Sequence, residues 1–237
     1  MSRFELISFP GESELATAAA SAWVREIENP APHLVALSGG RIVRQFFTAV
    51  TNLVKAQGVP LKAVQFFWSD ERCVPPTDAE SNFAAARELL LVPLGVPEAQ
   101  IHRLHGEDPP ELAATEAEKD LRRLAPIGAD GQPVFDLVFL GLGEDGHVAS
   151  LFPGEPAADA ASPAVYRPVT AAKPPPQRIT LGYPAIAAAR QVWVLASGAG
   201  KEGALRNSLA PNGATPLARV LKLRSQTKIF TDISAGT

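Results

Sequence analysis

Five short apolar runs, "HLVALSGG", "AVQFFWSDE", "FDLVFLGLG", "QVWVLASG" and "TKIFTD", recur along this chain of 237 residues. None shows the polar alternation of a half-solvated strand, so each reads as a strand covered on both faces. Helical patterns fall between them, at about 12–28, 41–57, 80–91, 110–124, 200–209 and 215–222. Strand and helix in alternation predict an α/β fold, a mostly parallel sheet with helices on both faces and right-handed crossovers. The length suits one core, and a single domain over 1–237 is expected.

In such sheets ligands gather at the carboxyl ends of the strands. Four of the runs end in chemically distinctive residues: "SGGR", "SDER", "GLGEDGH" and "SGAGK". These ends are expected to share one rim. The stretch "VTAAKPPPQRITLGYP", residues 169–184, cannot continue as helix through three prolines. "RITLGYP" regains strand character, so the segment reads as a loop that returns to the sheet.

Composition narrows the partners. A formal net charge of -3, from 22 basic and 25 acidic residues, gives no overall field for a nucleic acid backbone or an anionic membrane. Any anionic ligand must meet a local cluster instead. One cysteine, Cys73, excludes an internal disulfide and a multi-cysteine metal site and suits a reducing compartment. The first residues, "MSRFELISFPGESELA", break at Pro-Gly before a secretory apolar stretch develops, and no run reaches the roughly 18 apolar residues of a membrane span. A cytoplasmic protein is expected.

The segment "FLGLGEDGHVASLFPG" carries two competing readings. Gly141, Gly143 and Gly146 match the spacing of a dinucleotide-binding loop. That loop requires a following helix that faces a pyrophosphate and an acidic residue ending the next strand. Here Glu144 and Asp145 stand where phosphate charges belong, and Pro153 stops any helix after barely two turns. The second reading makes the glycines the means of turning sharply off a buried strand, which delivers Asp145 and His147 to the rim. A carboxylate that close can hold one imidazole nitrogen and leave the other free to take a proton from water. His33, His102 and His105 have no comparable setting and are expected to be packing or surface residues.

Four blocks then carry a resemblance. "DLVFLGLGEDGHVASLFPG" looks like the signature of the 6-phosphogluconolactonases, and "FFWSDERCVPPTDAESNFAAARELLL" is similar to that family's Asp-Glu-Arg segment with its following Ser-Asn. "KPPPQRITLGYPAI" and "SGAGKEGAL" resemble its third and fourth blocks, in the same order. The resemblance implies a Rossmann-like sheet of the kind shared with glucosamine-6-phosphate deaminases and ribose-5-phosphate isomerases. It also implies hydrolysis of 6-phosphoglucono-1,5-lactone to 6-phosphogluconate in the oxidative pentose phosphate route, with no metal and no organic cofactor. By the same resemblance His147 is the general base with Asp145 beside it, Asp70 and Arg72 line the substrate site, and Arg178 and Lys201 hold the phosphate. Backbone amides at Gly39 and Gly40 join the phosphate contacts.

General-base help of this kind is worth about 10²- to 10⁴-fold, and a planar guanidinium suits phosphate oxygens. One departure stands out: where the family commonly reads Ser-Gly-Gly-Ser-Thr-Pro, this chain reads "SGGRIV". Arg41 either replaces the missing hydroxyls with a charge or points away. The expected partner is a small sugar-phosphate lactone, not a nucleic acid or a membrane, and the expected state is a monomer or weak homodimer. Two other readings remain open on these residues, an aminosugar-phosphate deaminase or isomerase and a sugar-phosphate-binding module without turnover.

Overall fold

The computed structural model describes residues 4–29 and 31–233; the outermost residues of the expected 1–237 domain lie outside the described residues. Its strands are β1 (Glu5–Ser8), β2 (His33–Leu37), β3 (Val64–Trp68), β4 (Asp70–Arg72), β5 (Leu137–Gly141), β6 (Tyr166–Thr170), β7 (Gln177–Leu181), β8 (Gln191–Ala196) and β9 (Lys228–Thr231). The helices are α1 (Glu12–Ile27), α2 (Arg41–Gln57), α3 (Asn82–Ala86), α4 (Pro110–Leu124), α5 (Ala157–Ala160), α6 (Tyr183–Ala188), α7 (Glu202–Leu209) and α8 (Pro216–Leu223).

Six strands form a parallel sheet in the order β1-β9-β8-β5-β2-β3, flanked by helices. All five apolar runs of the sequence supply strands to it. β2, β5 and β8 are buried almost throughout, as runs without polar alternation require. Trp23 of α1 and Phe46 of α2 close over Phe139 of β5, with ring centroids 5.5 and 4.8 Å from it. The chain leaves β2 toward β3 on one side, and β5 toward β8 and β9 on the other. The crevice at that reversal, above the carboxyl ends of β2 and β5, is where an open α/β sheet takes its ligand.

Three features differ from the sequence expectation. β1 joins the edge beside β9, although its four residues are mostly half-exposed and carry little apolar signal. The strand in "RITLGYP" does not return to the main sheet; β7 is the centre of a second, antiparallel sheet ordered β4-β7-β6. Ser69 is the hinge between the two sheets. Its N–H donates to Leu37 in the first, and its carbonyl accepts from Leu181 in the second. The helix expected at 80–91 is also divided: α3 passes into one wider π turn over Arg87–Leu91.

Candidate active site

The loop after β5 answers the question its glycines raise. A Cβ on Gly143 would stand 2.1 Å from two ring atoms of His147 and 2.8 Å from an Asp145 carboxylate oxygen. The absent side chain is therefore the space the imidazole occupies. Gly146, at φ +83, makes the turn between the aspartate and the histidine. Asp145 Oδ1 accepts twice from His147, from its backbone N–H at 3.1 Å and from ring Nδ1 at 2.5 Å. Burial alone would raise the Asp145 carboxyl, but these bonds and the ring's charge outweigh it and hold the group below the usual aspartate range. The pairing assigns the proton to Nδ1 and leaves Nε2 as the basic nitrogen.

His147 and Asp145 line a cavity of about 1020 Å³, and Arg72 and Arg178 line the same cavity. The two arginines sit directly opposite each other in the β4–β7 ladder. Arg178 is 8% exposed, its Nε donates to the Pro175 carbonyl at 3.1 Å, and among the described residues no carboxylate forms an ion pair with it. Burial lowers its pKa, and the neighbouring Arg72 charge lowers it further. Arg72 Nη1 donates to the Glu80 carbonyl, and its buried Nε has no hydrogen-bond partner. The Glu80 carboxylate lies 3.4 Å from Arg72 Nη1, so one carboxylate faces two guanidinium groups, and the positive charge left over suits an anion. Phe152 bridges base and cations: its ring lies 4.9 Å from that of His147 and 5.7 Å from the Arg178 guanidinium carbon.

The remaining expected residues lie elsewhere on the rim or beneath it. Asp70 is 5% exposed and does not line the cavity; its carboxylate accepts from Ser150 Oγ at 2.7 Å and from Asn82 Nδ2 at 3.3 Å. Gly39 lies directly under the Asn82 amide, and Gly40 precedes the first turn of α2. Arg41, exposed at the start of α2, has Nε 3.3 Å from Glu12 and its guanidinium against Gly198. Lys201 stands just before α7, and burial, then the Arg41 charge, pull its pKa down. Arg41 and Lys201 thus form a second cationic cluster on the rim. They do not line the cavity that holds the arginine pair.

Glu71 was missed by the sequence reading. It is 2% exposed and accepts from the Arg72, Asn82 and Phe83 amides and from the Ser81 hydroxyl. Burial pushes its carboxyl up while those four donors work the other way. Bound across the first turn of α3, it fixes Asn82 over Asp70 and ties β4 to the helix. The only signal in sequence is the pairing of "SDER" with a Ser-Asn ten residues on. His33, His102 and His105 do not line the cavity, and among the described residues no cluster of three His, Cys, Asp or Glu suits a metal ion.

A family model described as glucosamine-6-phosphate isomerases/6-phosphogluconolactonase matches residues 10–230. The human 6-phosphogluconolactonase is 38% identical over 186 residues, spanning 78% of this chain and 71% of that protein. Among solved structures, the 6-phosphogluconolactonase from Trypanosoma brucei superposes with a TM-score of 0.80 at 29% identity, covering 98% of this chain and 96% of that one. A monomeric glucosamine-6-phosphate deaminase shares the fold, with a TM-score of 0.81 at 19% identity, covering 98% of this chain and 97% of its own. With a family model matching most of its length and a relative 38% identical over 78% of it, this chain belongs to the glucosamine-6-phosphate isomerase/6-phosphogluconolactonase family.

Proposed function

We propose that this chain is a 6-phosphogluconolactonase, hydrolysing 6-phosphoglucono-1,5-lactone to 6-phosphogluconate in the oxidative pentose phosphate route. The observation that carries the reading is the shared cavity: an aspartate-held imidazole and an arginine pair, of which only Arg72 meets a carboxylate, open onto one space. The substrate has a matching polarity, with an ester carbonyl at one end and a phosphate at the other.

In this reading His147 Nε2 takes a proton from water as the water oxygen attacks the lactone carbonyl carbon. Asp145, bonded to Nδ1, stabilises the imidazolium that forms. When the tetrahedral intermediate collapses, the bond from the carbonyl carbon to the ring oxygen breaks and the imidazolium returns its proton to that oxygen. The product is an open-chain hydroxy acid, which loses a further proton to solvent. Arg72 and Arg178 hold the phosphate and set the carbonyl over the base. Lys201 and Arg41, on the neighbouring part of the rim, supply further positive potential toward the same anion.

The proposal includes a cytoplasmic enzyme that works as a monomer or weak homodimer. Cys73, the chain's one cysteine, is half-buried, and burial pushes its thiol up to about 11, which leaves it unreactive. Among the described residues no helix is long and apolar enough to cross a membrane. The deaminase alternative has less support, because the relative bearing that name is 19% identical while the human lactonase is 38% identical.

The test is acid release from freshly prepared lactone. The purified protein is expected to exceed the buffer rate and to release no ammonia from glucosamine 6-phosphate. Tight binding of 6-phosphogluconate without turnover would instead mark a sensor.

A further inference from the structure

Three residues beyond His147 the chain is held in a way that the reaction as written does not use. Ala149 adopts φ +50, a left-handed conformation that is costly for a non-glycine residue and persists where the surroundings over-determine it. What determines it is Ser150, which is fully buried. Its hydroxyl donates to Asp70 Oδ2 at 2.7 Å and its backbone N–H donates to Thr180 Oγ1 at 3.1 Å.

Asp70 and Thr180 face each other across the β4–β7 ladder, two residues before Arg72 on one strand and two after Arg178 on the other. Side chains two apart in a strand share a face. Ser150 is thus hooked to one rung of the small sheet, and the next rung on that face carries both arginines. β4 is fixed in turn by Glu71 and by Asn82, which reaches the Asp70 carbonyl at 2.9 Å.

The geometry points to Ser150 as a positioning residue: clamped on the Asp70–Thr180 rung, it sets the distance between the base on the β5 loop and the arginine pair on the small sheet. The residue is fully buried and does not line the cavity. Its effect is to keep two separately built ends at a spacing that fits one substrate, and about 1 Å of error between reacting groups can cost on the order of 10²-fold in rate. This inference rests on the lactonase reading and deepens it.

The test is Ser150→Ala, which removes the hydroxyl and leaves the chemical groups at both ends of the site intact. Its kcat on 6-phosphoglucono-1,5-lactone is expected to fall about tenfold or more. KM, the inhibition constant for inorganic phosphate and the position of the acid limb of the pH–rate profile are expected to stay within about twofold of the parent, because neither the arginines nor the His147–Asp145 pair is altered. An unchanged kcat overturns the inference. So does a fall in kcat matched by weaker phosphate inhibition or a displaced acid limb, which would mean general damage to the site. If Ser150→Ala does not fold, Thr180→Val, which deletes the acceptor for the Ser150 amide at similar volume, is read by the same criteria. A parent protein that fails to hydrolyse the lactone defeats the lactonase reading itself, a result distinct from an active parent with an indifferent variant.

Discussion

His147 and His33 occupy opposite ends of the same parallel sheet, and their surroundings make them different chemical groups. At the carboxyl end, His147 is gripped through Nδ1 by a carboxylate and its side chain is 30% exposed at the cavity. At the amino end, His33 opens β2, and its Nε2 accepts from the Trp23 indole at 3.2 Å. Burial lowers the His33 pKa, against a smaller opposing pull from Asp136. One ring is arranged to gain a proton and the other to refuse it. The difference lies in the partner: a carboxylate stabilises the cation, and an indole donor requires the neutral ring.

The largest expected effect tests the first half of that contrast. His147→Ala should lower kcat by about 10²- to 10⁴-fold with little change in thermal midpoint, measured by acid release and by melting. A variant as fast as the parent would remove His147 from the chemistry. Next is Gly143→Ala, whose new Cβ must push the ring off Asp145. A loss of about 10²-fold in kcat is expected, with KM nearly unchanged; full activity would show that the ring placement is not needed.

Arg178→Met addresses the anion end and should raise KM about 10- to 100-fold, as expected for losing hydrogen bonds to a charged group worth about 1.5–3 kcal/mol each. A KM that stays put while kcat falls would move the phosphate to the Arg41–Lys201 cluster. The smallest effect concerns His33. Its folded pKa lies below its unfolded value, so the stability it contributes is complete above about 6.5, the ordinary imidazole value, and is lost as pH falls from there toward the folded pKa. Comparing denaturant midpoints at pH 7 and pH 5, His33→Leu should show a shallower decline than the parent, by less than about 1.4 kcal/mol per pH unit. Equal slopes would mean that the Trp23 bond does not exclude the proton.

The parallel sheet was readable because strands buried on both faces leave unbroken apolar runs, and the rim could be read from what followed each run. The small sheet was not readable in the same way. β4 is "DER" and β6 is "YRPVT", short polar strands whose pairing depends on neighbours distant in the chain. Glu71 was hidden for a related reason, since a glutamate among charged residues looks solvated until the fold brings residues 81–83 over it. The resemblance drew attention to Arg72 and Arg178, but their opposition across one rung is a property of the ladder and not of either motif. The glycines were the reverse case, since their spacing suggested a nucleotide loop and their surroundings argued for the histidine.

The missing side chain at position 143 has a consequence for lineage. Because the imidazole fills that space, the two positions are constrained as a pair: an ancestor could not acquire bulk at 143 and keep the base, while a descendant that has lost the base is free to fill the gap. A homologue with a larger residue there is expected to hold its imidazole in a displaced position or to carry its base on another segment.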